Sequence, residues 1–181
     1  MKNLKLMGIF FLMLGTASFA QTSNPGGAGM QPGKTIVETA SESQDHTTLV
    51  DAVKAAGLVE TLQGDGPFTV FAPTNAAFEK LPAGTVETLL KPENKEKLQG
   101  ILTYHVISGN YSADDIIAAI NEGDGKAKFE TVNGGWISAM IEDEKVKLQD
   151  AAGNVATVTM ADLNQKNGVI HVIDTVVLPG N

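Results

Sequence analysis

Apolar residues recur at helical spacing through much of the first two thirds of the chain. Between residues 45 and 57 they fall on one stripe, which predicts a helix that Asp45 caps and Gly57 ends or bends. Ser112 and Asp115 have the spacing of a capping box and predict the start of another helix. Shorter helices are predicted at 35–40, 75–78, 86–90 and 92–105, and an apolar face continues past Gly57 through Leu62.

Short β-prone runs between turn residues dominate the chain after residue 125. Strands are predicted at 68–72, 106–107, 128–132, 136–141, 146–149 and 156–160. The last four of these are spaced as in an antiparallel meander. The final run, Val169 to Leu178, is apolar on both alternating faces, which is typical of a central strand covered on both sides. Because helices cluster in the first half and strands in the second, the pattern predicts an α+β domain.

The N-terminus has the features of a secretory signal peptide. Two lysines precede an apolar run from Leu6 to Gly15, and the small residues that follow predict cleavage after Ala20. The run is shorter than the roughly 20 apolar residues that span a bilayer, which disfavours the alternative of a membrane anchor. Residues 21–34 are rich in Gly and Pro and predict a flexible leader. The remaining residues, 35–181, have the size of one domain.

The composition excludes several functional classes. The chain has no cysteine, so thiol catalysis, thiolate metal sites and a disulfide framework are excluded. The formal net charge is −8, and removal of the two signal-peptide lysines would make it −10. Every basic residue is lysine. Because a phosphate backbone would be repelled and no guanidinium is present to bind it, we expect no nucleic-acid partner.

The sequence contains no recognisable catalytic or metal-binding motif. His46, His105 and His171 form no metal-ligand pair, and no nucleophile elbow or phosphate loop is present. His105 continues an apolar stripe and His171 lies inside an apolar strand, which favours hydrogen-bonded core roles. A ligand or proton-transfer role for His105 is the alternative. We therefore expect no catalytic residue, no metal and no cofactor.

Three segments carry longer motifs. Phe68 to Phe78 reads FTVFAPTNAAF, Leu102 to Ile107 reads LTYHVI, and Asn167 to Pro179 reads NGVIHVIDTVVLP. In order and spacing, these segments resemble the two conserved segments and the Tyr-His motif of the fasciclin family. The resemblance extends from Thr35 to Pro179, and it implies a wedge-shaped β-sheet with helices packed around it.

The resemblance also implies roles for individual residues. Family members that bind integrins use residues around the Tyr-His motif, which here is Tyr104-His105, and an Asp-Ile pair before the last conserved segment. That pair corresponds to Asp162-Leu163, with Leu in place of Ile. These four residues are the predicted partner-binding residues. Structural roles are implied for Phe71, Pro73, Thr74, Asn75, Phe78, Gly168 and His171.

The leading functional hypothesis is a secreted, non-enzymatic adhesion or interaction module that binds a surface or matrix protein or a polysaccharide. Secretion leaves the medium, the cell surface and the periplasm open as locations. The alternative is a carrier of a small apolar or lipid ligand, with Met140, Met160 and Trp136 as candidate lining residues of a pocket between sheet and helices. The third hypothesis is an enzyme, but the sequence shows no base–nucleophile pair and no set of metal ligands.

Overall fold

The computed structural model describes residues 33–180. The predicted signal peptide, residues 1–20, and nearly all of the predicted leader, residues 21–34, lie outside the described residues. Lys34, at the end of that leader, accepts a hydrogen bond at its carbonyl from the Lys166 amide at 2.8 Å.

Seven α-helices and two 3₁₀ turns lie in the described part of the chain. The helices are α1 (Ile36–Glu42), α2 (Thr47–Ala56), α3 (Val59–Gln63), α4 (Asn75–Glu79), α5 (Thr85–Leu89), α6 (Lys95–Tyr104) and α7 (Ala113–Glu122). The 3₁₀ turns are Gln44–His46 and Pro92–Asn94. The predicted capping box of α7 is confirmed, because Ser112 and Asp115 exchange their side-chain and backbone hydrogen bonds. Gly57 ends α2, also as predicted, and adopts the left-handed conformation there.

The strands form one mixed sheet. They are β1 (Phe68–Pro73), β2 (Val106–Ser108), β3 (Lys126–Glu130), β4 (Trp136–Glu142), β5 (Lys145–Gln149), β6 (Val155–Gln165) and β7 (Gly168–Ile173). Their order is β2-β1-β7-β6-β5-β4-β3, and only the β1–β7 pair is parallel among them. The predicted meander is therefore confirmed for β3 to β6, and the α+β class with it. The two edges nearly meet, because Ile107 bridges Thr131 just after β3.

The core has two parts, one on each side of β1 and β7. One packs between these strands and α1, α2, α3 and α6, and it includes Val70 and Ile170. The other lies between the sheet and α7, and it includes Phe71, Ile137 and Ile173. All six residues of β7 are buried, which confirms the prediction of a central strand covered on both faces.

The last strand is shorter than predicted. It was expected to run to Leu178, but β7 ends at Ile173. After that point the backbone bonds to side chains instead of a neighbouring strand: the Val177 amide donates to His105 Nε2 and the Leu178 amide to Asp150 Oδ2. Alternating apolar residues indicate that a segment is buried, but they do not indicate that it pairs with a neighbouring strand. Because burial continues through Val177, the pattern predicted a longer strand than the structure contains.

The predicted N-cap of α2 is also wrong. Asp45 lies exposed within the first 3₁₀ turn, and His46 occupies the cap position without a side-chain cap bond. Asn75 supplies the cap instead, because its Oδ1 accepts from the Thr48 amide at 3.1 Å. The helix end is satisfied by a residue from another segment, which local sequence cannot reveal.

Some predicted boundaries shift as well. β3 begins at Lys126 and ends at Glu130, two residues before the predicted 128–132. β6 extends to Gln165, beyond the predicted 156–160, through two register irregularities. These irregularities interrupt the alternation of side chains, so the second half of the strand lacks the pattern that would have predicted it.

Candidate functional site

The three motif segments meet around β1. Phe71 on β1 lies opposite His171 on β7 in the parallel register, and the centroids of their rings are 5.8 Å apart. The Phe71 amide donates to the His105 carbonyl at 2.9 Å. His171 in turn accepts a hydrogen bond from the Asp162 amide. A continuous chain of contacts therefore links the two predicted partner-binding pairs, although no direct hydrogen bond joins the pairs within residues 33–180.

His105 is buried and both of its ring nitrogens are occupied. Nδ1–H donates to the Ile101 carbonyl at 2.8 Å, and Nε2 accepts from the Val177 amide at 3.2 Å. This pattern holds the imidazole in its neutral form, since Nε2 is an acceptor. Burial lowers the pKa of His105 to about 4, and the Ile101 carbonyl opposes that shift only in part. The residue joins the end of α6 to the C-terminal segment.

His171 has the same kind of environment. Nε2–H donates to the Tyr111 carbonyl at 2.8 Å, and Nδ1 accepts from the Asp162 amide at 3.3 Å. Burial lowers its pKa below the ordinary value. With each ring nitrogen engaged by backbone, neither this imidazole nor that of His105 has a nitrogen free to exchange a proton with a bound substrate.

Tyr104 is fully buried, at 0% exposure. Its hydroxyl donates to the Trp136 carbonyl at 2.7 Å and accepts from the Ala151 amide at 3.1 Å. Burial raises the pKa of this phenol. The side chain therefore fixes the start of β4 and the turn after β5, and its ring cannot touch a partner in this conformation.

Asp162 and Leu163 lie at an irregularity of β6. Asp162 has a left-handed backbone, φ 60°, and its Oδ1 accepts from the Ala113 amide at 2.7 Å in the first turn of α7. A carboxylate at this place is favourable because helix N-termini carry partial positive charge. Leu163 is half-buried and packs on the helical side of the core. The partner-binding role of Tyr104, His105, Asp162 and Leu163 stays a prediction.

The residues with predicted structural roles lie mostly at turns and in the core. Pro73 and Phe78 are buried, and Thr74 caps α4 by accepting from the Ala77 amide at 3.3 Å. Besides capping α2, Asn75 donates through Nδ2 to the Gln44 carbonyl at 2.9 Å.

Gly168 has no room for a side chain. A Cβ built there would lie 1.9 Å from the Phe68 carbonyl oxygen. The close approach of the parallel strands β1 and β7 therefore requires glycine at this position.

Asp150 and Asn167 are buried polar residues whose connections the sequence did not reveal. The Asp150 carboxylate accepts four hydrogen bonds, including one from the Leu178 amide at 2.9 Å. Asn167 accepts from the Ile36 amide at 3.0 Å and donates to the Leu62 carbonyl at 2.7 Å. The run from Asp150 to Asn154 was recognisable as a turn, but its long-range partner was not.

Two features are absent from the part of the chain that the structure describes. Residues 33–180 contain no group of three or more His, Asp or Glu side chains arranged to hold a metal ion. No helix among them is long and apolar enough to cross a membrane.

Comparison with known proteins identifies the family. The model of the fasciclin domain matches residues 44–179. The chain belongs to the fasciclin family. The resemblance seen in the sequence motifs is thereby confirmed. Fasciclin proteins are adhesion and surface proteins without enzymatic activity, so the expectation that this chain is not an enzyme is confirmed as well.

Bacterial relatives extend over most of this fasciclin chain. The cyanobacterial protein sll1483 of Synechocystis is 52% identical over 145 residues, which are 80% of this chain and 73% of the relative. The cell surface glycolipoprotein MPB83 of Mycobacterium bovis is 34% identical over 91% of this chain and 70% of its own length.

A solved structure has the same fold. A fasciclin domain pair from the insect cell adhesion molecule Fasciclin I superposes with a TM-score of 0.69 at 19% identity. The match covers 81% of this chain and 51% of that one, so this chain spans about half of the pair.

Proposed function

We propose that this fasciclin domain is a secreted, non-enzymatic adhesion module that binds a protein or polysaccharide at the cell surface or in the surrounding matrix. The observation that carries the proposal is the family match over residues 44–179, which takes in nearly all of the folded domain. A relative named as a cell surface glycolipoprotein and a structural neighbour named as a cell adhesion molecule support the surface location. The sequence of residues 1–20, typical of a signal peptide, supports export.

The Tyr-His motif contributes to binding indirectly in this proposal. Tyr104 is buried, but its hydroxyl holds the backbone of Trp136, whose side chain is 53% exposed. A change at Tyr104 would therefore reach a partner through the position of Trp136. In the same way, Asp162 would act by holding the start of α7.

The test is a pull-down with residues 21–181 against cell-envelope protein, envelope polysaccharide and lipid vesicles. Tyr104→Phe removes the hydroxyl and keeps the ring in the core, so it is a sharper variant than Tyr104→Ala. Tyr111→Phe is the matched control, because the Tyr111 hydroxyl makes no hydrogen bond within residues 33–180. Capture of a protein or polysaccharide that Tyr104→Phe weakens and Tyr111→Phe does not would support the proposal. Capture of nothing but lipid would reject it in favour of a carrier.

A cleft between the first helices and the sheet favours the carrier as the second candidate function. It has a volume of about 250 Å³, and most of its lining is apolar. Met160, Leu163 and Val172 form the sheet side of it, whereas Met140 and Trp136 lie elsewhere, on the outer face of β4. The His46 Nε2 at its wall is buried near the Ala72 carbonyl but forms no hydrogen bond within residues 33–180.

The carrier function is tested by filling the cleft. Ala40→Phe places a ring in it, and Ala55→Phe places the same ring on the exposed side of α2 as the control. Native mass spectrometry would look for a copurifying ligand, and a dansylated fatty acid would serve as the binding probe. Binding that Ala40→Phe alone abolishes would support a carrier, whereas no copurifying ligand and no probe binding would reject it.

A further inference from the structure

The outer face of the β3–β6 half of the sheet is open to solvent among the described residues. The side chains that alternate inward, such as Ile137, Ala139 and Leu148, are buried in the core. Those that alternate outward face away from it and have no helix over them within residues 33–180. This outer face consists of Lys126, Lys128, Glu130, Trp136, Ser138, Met140, Glu142, Lys145, Lys147, Gln149, Val155 and Thr157.

Strand register brings four lysines together on this outer face. Met140 pairs with Lys126 on one side and with Lys147 on the other, and Lys128 and Lys145 lie on adjacent positions of the same strands. Neighbouring strands are about 4.8 Å apart, so the four lysines occupy neighbouring positions around Met140 on the sheet. Lys147 pairs with Glu142 at 2.8 Å, whereas the other three lysines form no ion pair within residues 33–180.

The charge of this face opposes that of the rest of the domain. Residues 33–125, which contain all the described helices, carry 14 carboxylates and six lysines, a formal −8. The outer face carries four lysines and two glutamates, and the Asp143 carboxylate lies 3.0 Å from Lys147 Nζ, so the formal charge of this surface is +1. An anionic chain would be repelled by the helical side and would be directed to the outer face.

The outer face also offers apolar contact between its charges. Trp136 is 53% exposed and Val155 is 42% exposed, and Met140 lies between the lysines. A flat indole can stack on the C–H face of a sugar ring. Ser138, Gln149 and other short polar side chains lie between the charged positions and can bond to hydroxyl groups.

We propose that the outer face binds an acidic polysaccharide, a linear chain of sugar rings that bear carboxylates. The lysines would bind the carboxylates, and Trp136 would stack on a ring. A folded protein partner is less well matched, because its interfaces centre on a desolvated apolar cluster and this face places lysines at its centre. The inference rests on the proposed adhesion function and names its partner class and its surface.

The experiment measures binding of residues 21–181 to sodium alginate, a polyuronate, by biolayer interferometry at several salt concentrations. Neutral dextran tests the need for charge, and poly-L-glutamate tests the need for sugar rings. The first variant is Lys126→Glu with Lys128→Glu. Its matched control is Lys91→Glu with Lys97→Glu, which changes the net charge equally at exposed positions in and beside α6. Trp136→Ala and Trp136→Phe test stacking, and thermal melts check that each variant is folded.

We expect alginate to bind, dextran not to bind, and affinity to fall as salt rises. The Lys126 and Lys128 variant should lose about tenfold or more in affinity, and the control pair much less. Trp136→Ala should weaken alginate binding but not poly-L-glutamate binding, and Trp136→Phe should restore most of it. Equal losses in the two charge variants, or no alginate binding, would overturn the inference. If poly-L-glutamate binds more tightly than alginate, and Trp136→Ala leaves that binding unchanged, the inference is also overturned. This result would indicate an acidic protein as the partner.

Two results separate the role of the outer face from the adhesion function as a whole. If envelope protein is still captured by the Lys126 and Lys128 variant, the adhesion function stands and the outer face is not its site. If the wild-type domain captures neither alginate nor any envelope protein or polysaccharide, the adhesion function itself fails.

Discussion

Burial of His105 makes the stability of the domain depend on pH. The native imidazole stays neutral down to its pKa of about 4, whereas the same group in the unfolded chain takes up a proton near 6.5. Between these values the unfolded state therefore binds more protons than the native state. The stability contributed by the neutral form is complete above pH 6.5 and is lost as the pH falls towards 4.

The size of this effect follows from the two pKa values. Their separation corresponds to about 3 kcal/mol over the whole interval, and to about 2 kcal/mol between pH 7 and pH 5. Domains of this size are stable by about 5–15 kcal/mol, so the loss is a substantial share. The pKa of His171 is also lowered by burial, so that residue adds a loss of the same sign.

Urea unfolding at pH 7 and pH 5 measures the loss, with His105→Gln as the variant that cannot titrate. The amide of Gln can both donate and accept, so it can keep part of the contacts with Ile101 and Val177. We expect a smaller difference between the two pH values in His105→Gln than in the wild type. An equal pH dependence, or a His105 proton resonance that titrates near pH 6.5 in the folded domain, would show that His105 is not the source of the loss.

Three further substitutions test individual contacts. Tyr104→Phe removes two part-buried hydrogen bonds, to the Trp136 carbonyl and from the Ala151 amide, and should lower the free energy of unfolding by about 1–3 kcal/mol, whereas Tyr111→Phe should be near neutral in the same urea titration. Asn75→Ala removes the cap of α2 and should cost about 1 kcal/mol, and an unchanged melting temperature would contradict this capping role. Gly168→Ala should prevent folding, whereas Gly153→Ala, with open space around it, should fold with a loss of about 1 kcal/mol by circular dichroism.

Local sequence was sufficient where the structure depends on neighbouring residues. The capping box at Ser112 and the end of α2 at Gly57 depend on contacts within a few residues, and both positions were predicted, although the left-handed conformation of Gly57 was not. The alternation of β3 to β5 likewise follows from which side chains must be buried. The family motifs then indicated the fold as a whole.

The candidate site was only partly predictable. The motifs identified Tyr104 and His105, but not that both side chains are buried or that the Tyr104 hydroxyl holds Trp136. The predicted strand 128–132 included Lys128 but not Lys126, which the structure adds to the same face of β3. Their position beside Lys145 and Lys147 depends on how three strands align.

The amino-acid sequence alone was enough to predict most helices and strands, the acidic charge and the family. The tertiary structure decided which distant residues meet: Phe71 opposite His171, Asn75 at the start of α2, and Asp150 at the Leu178 amide. The difference arises from the distance along the chain over which each interaction acts. Periodicity and capping reflect local backbone geometry and the need to bury apolar surface, whereas a hydrogen-bond partner many residues away is selected only when the whole chain packs.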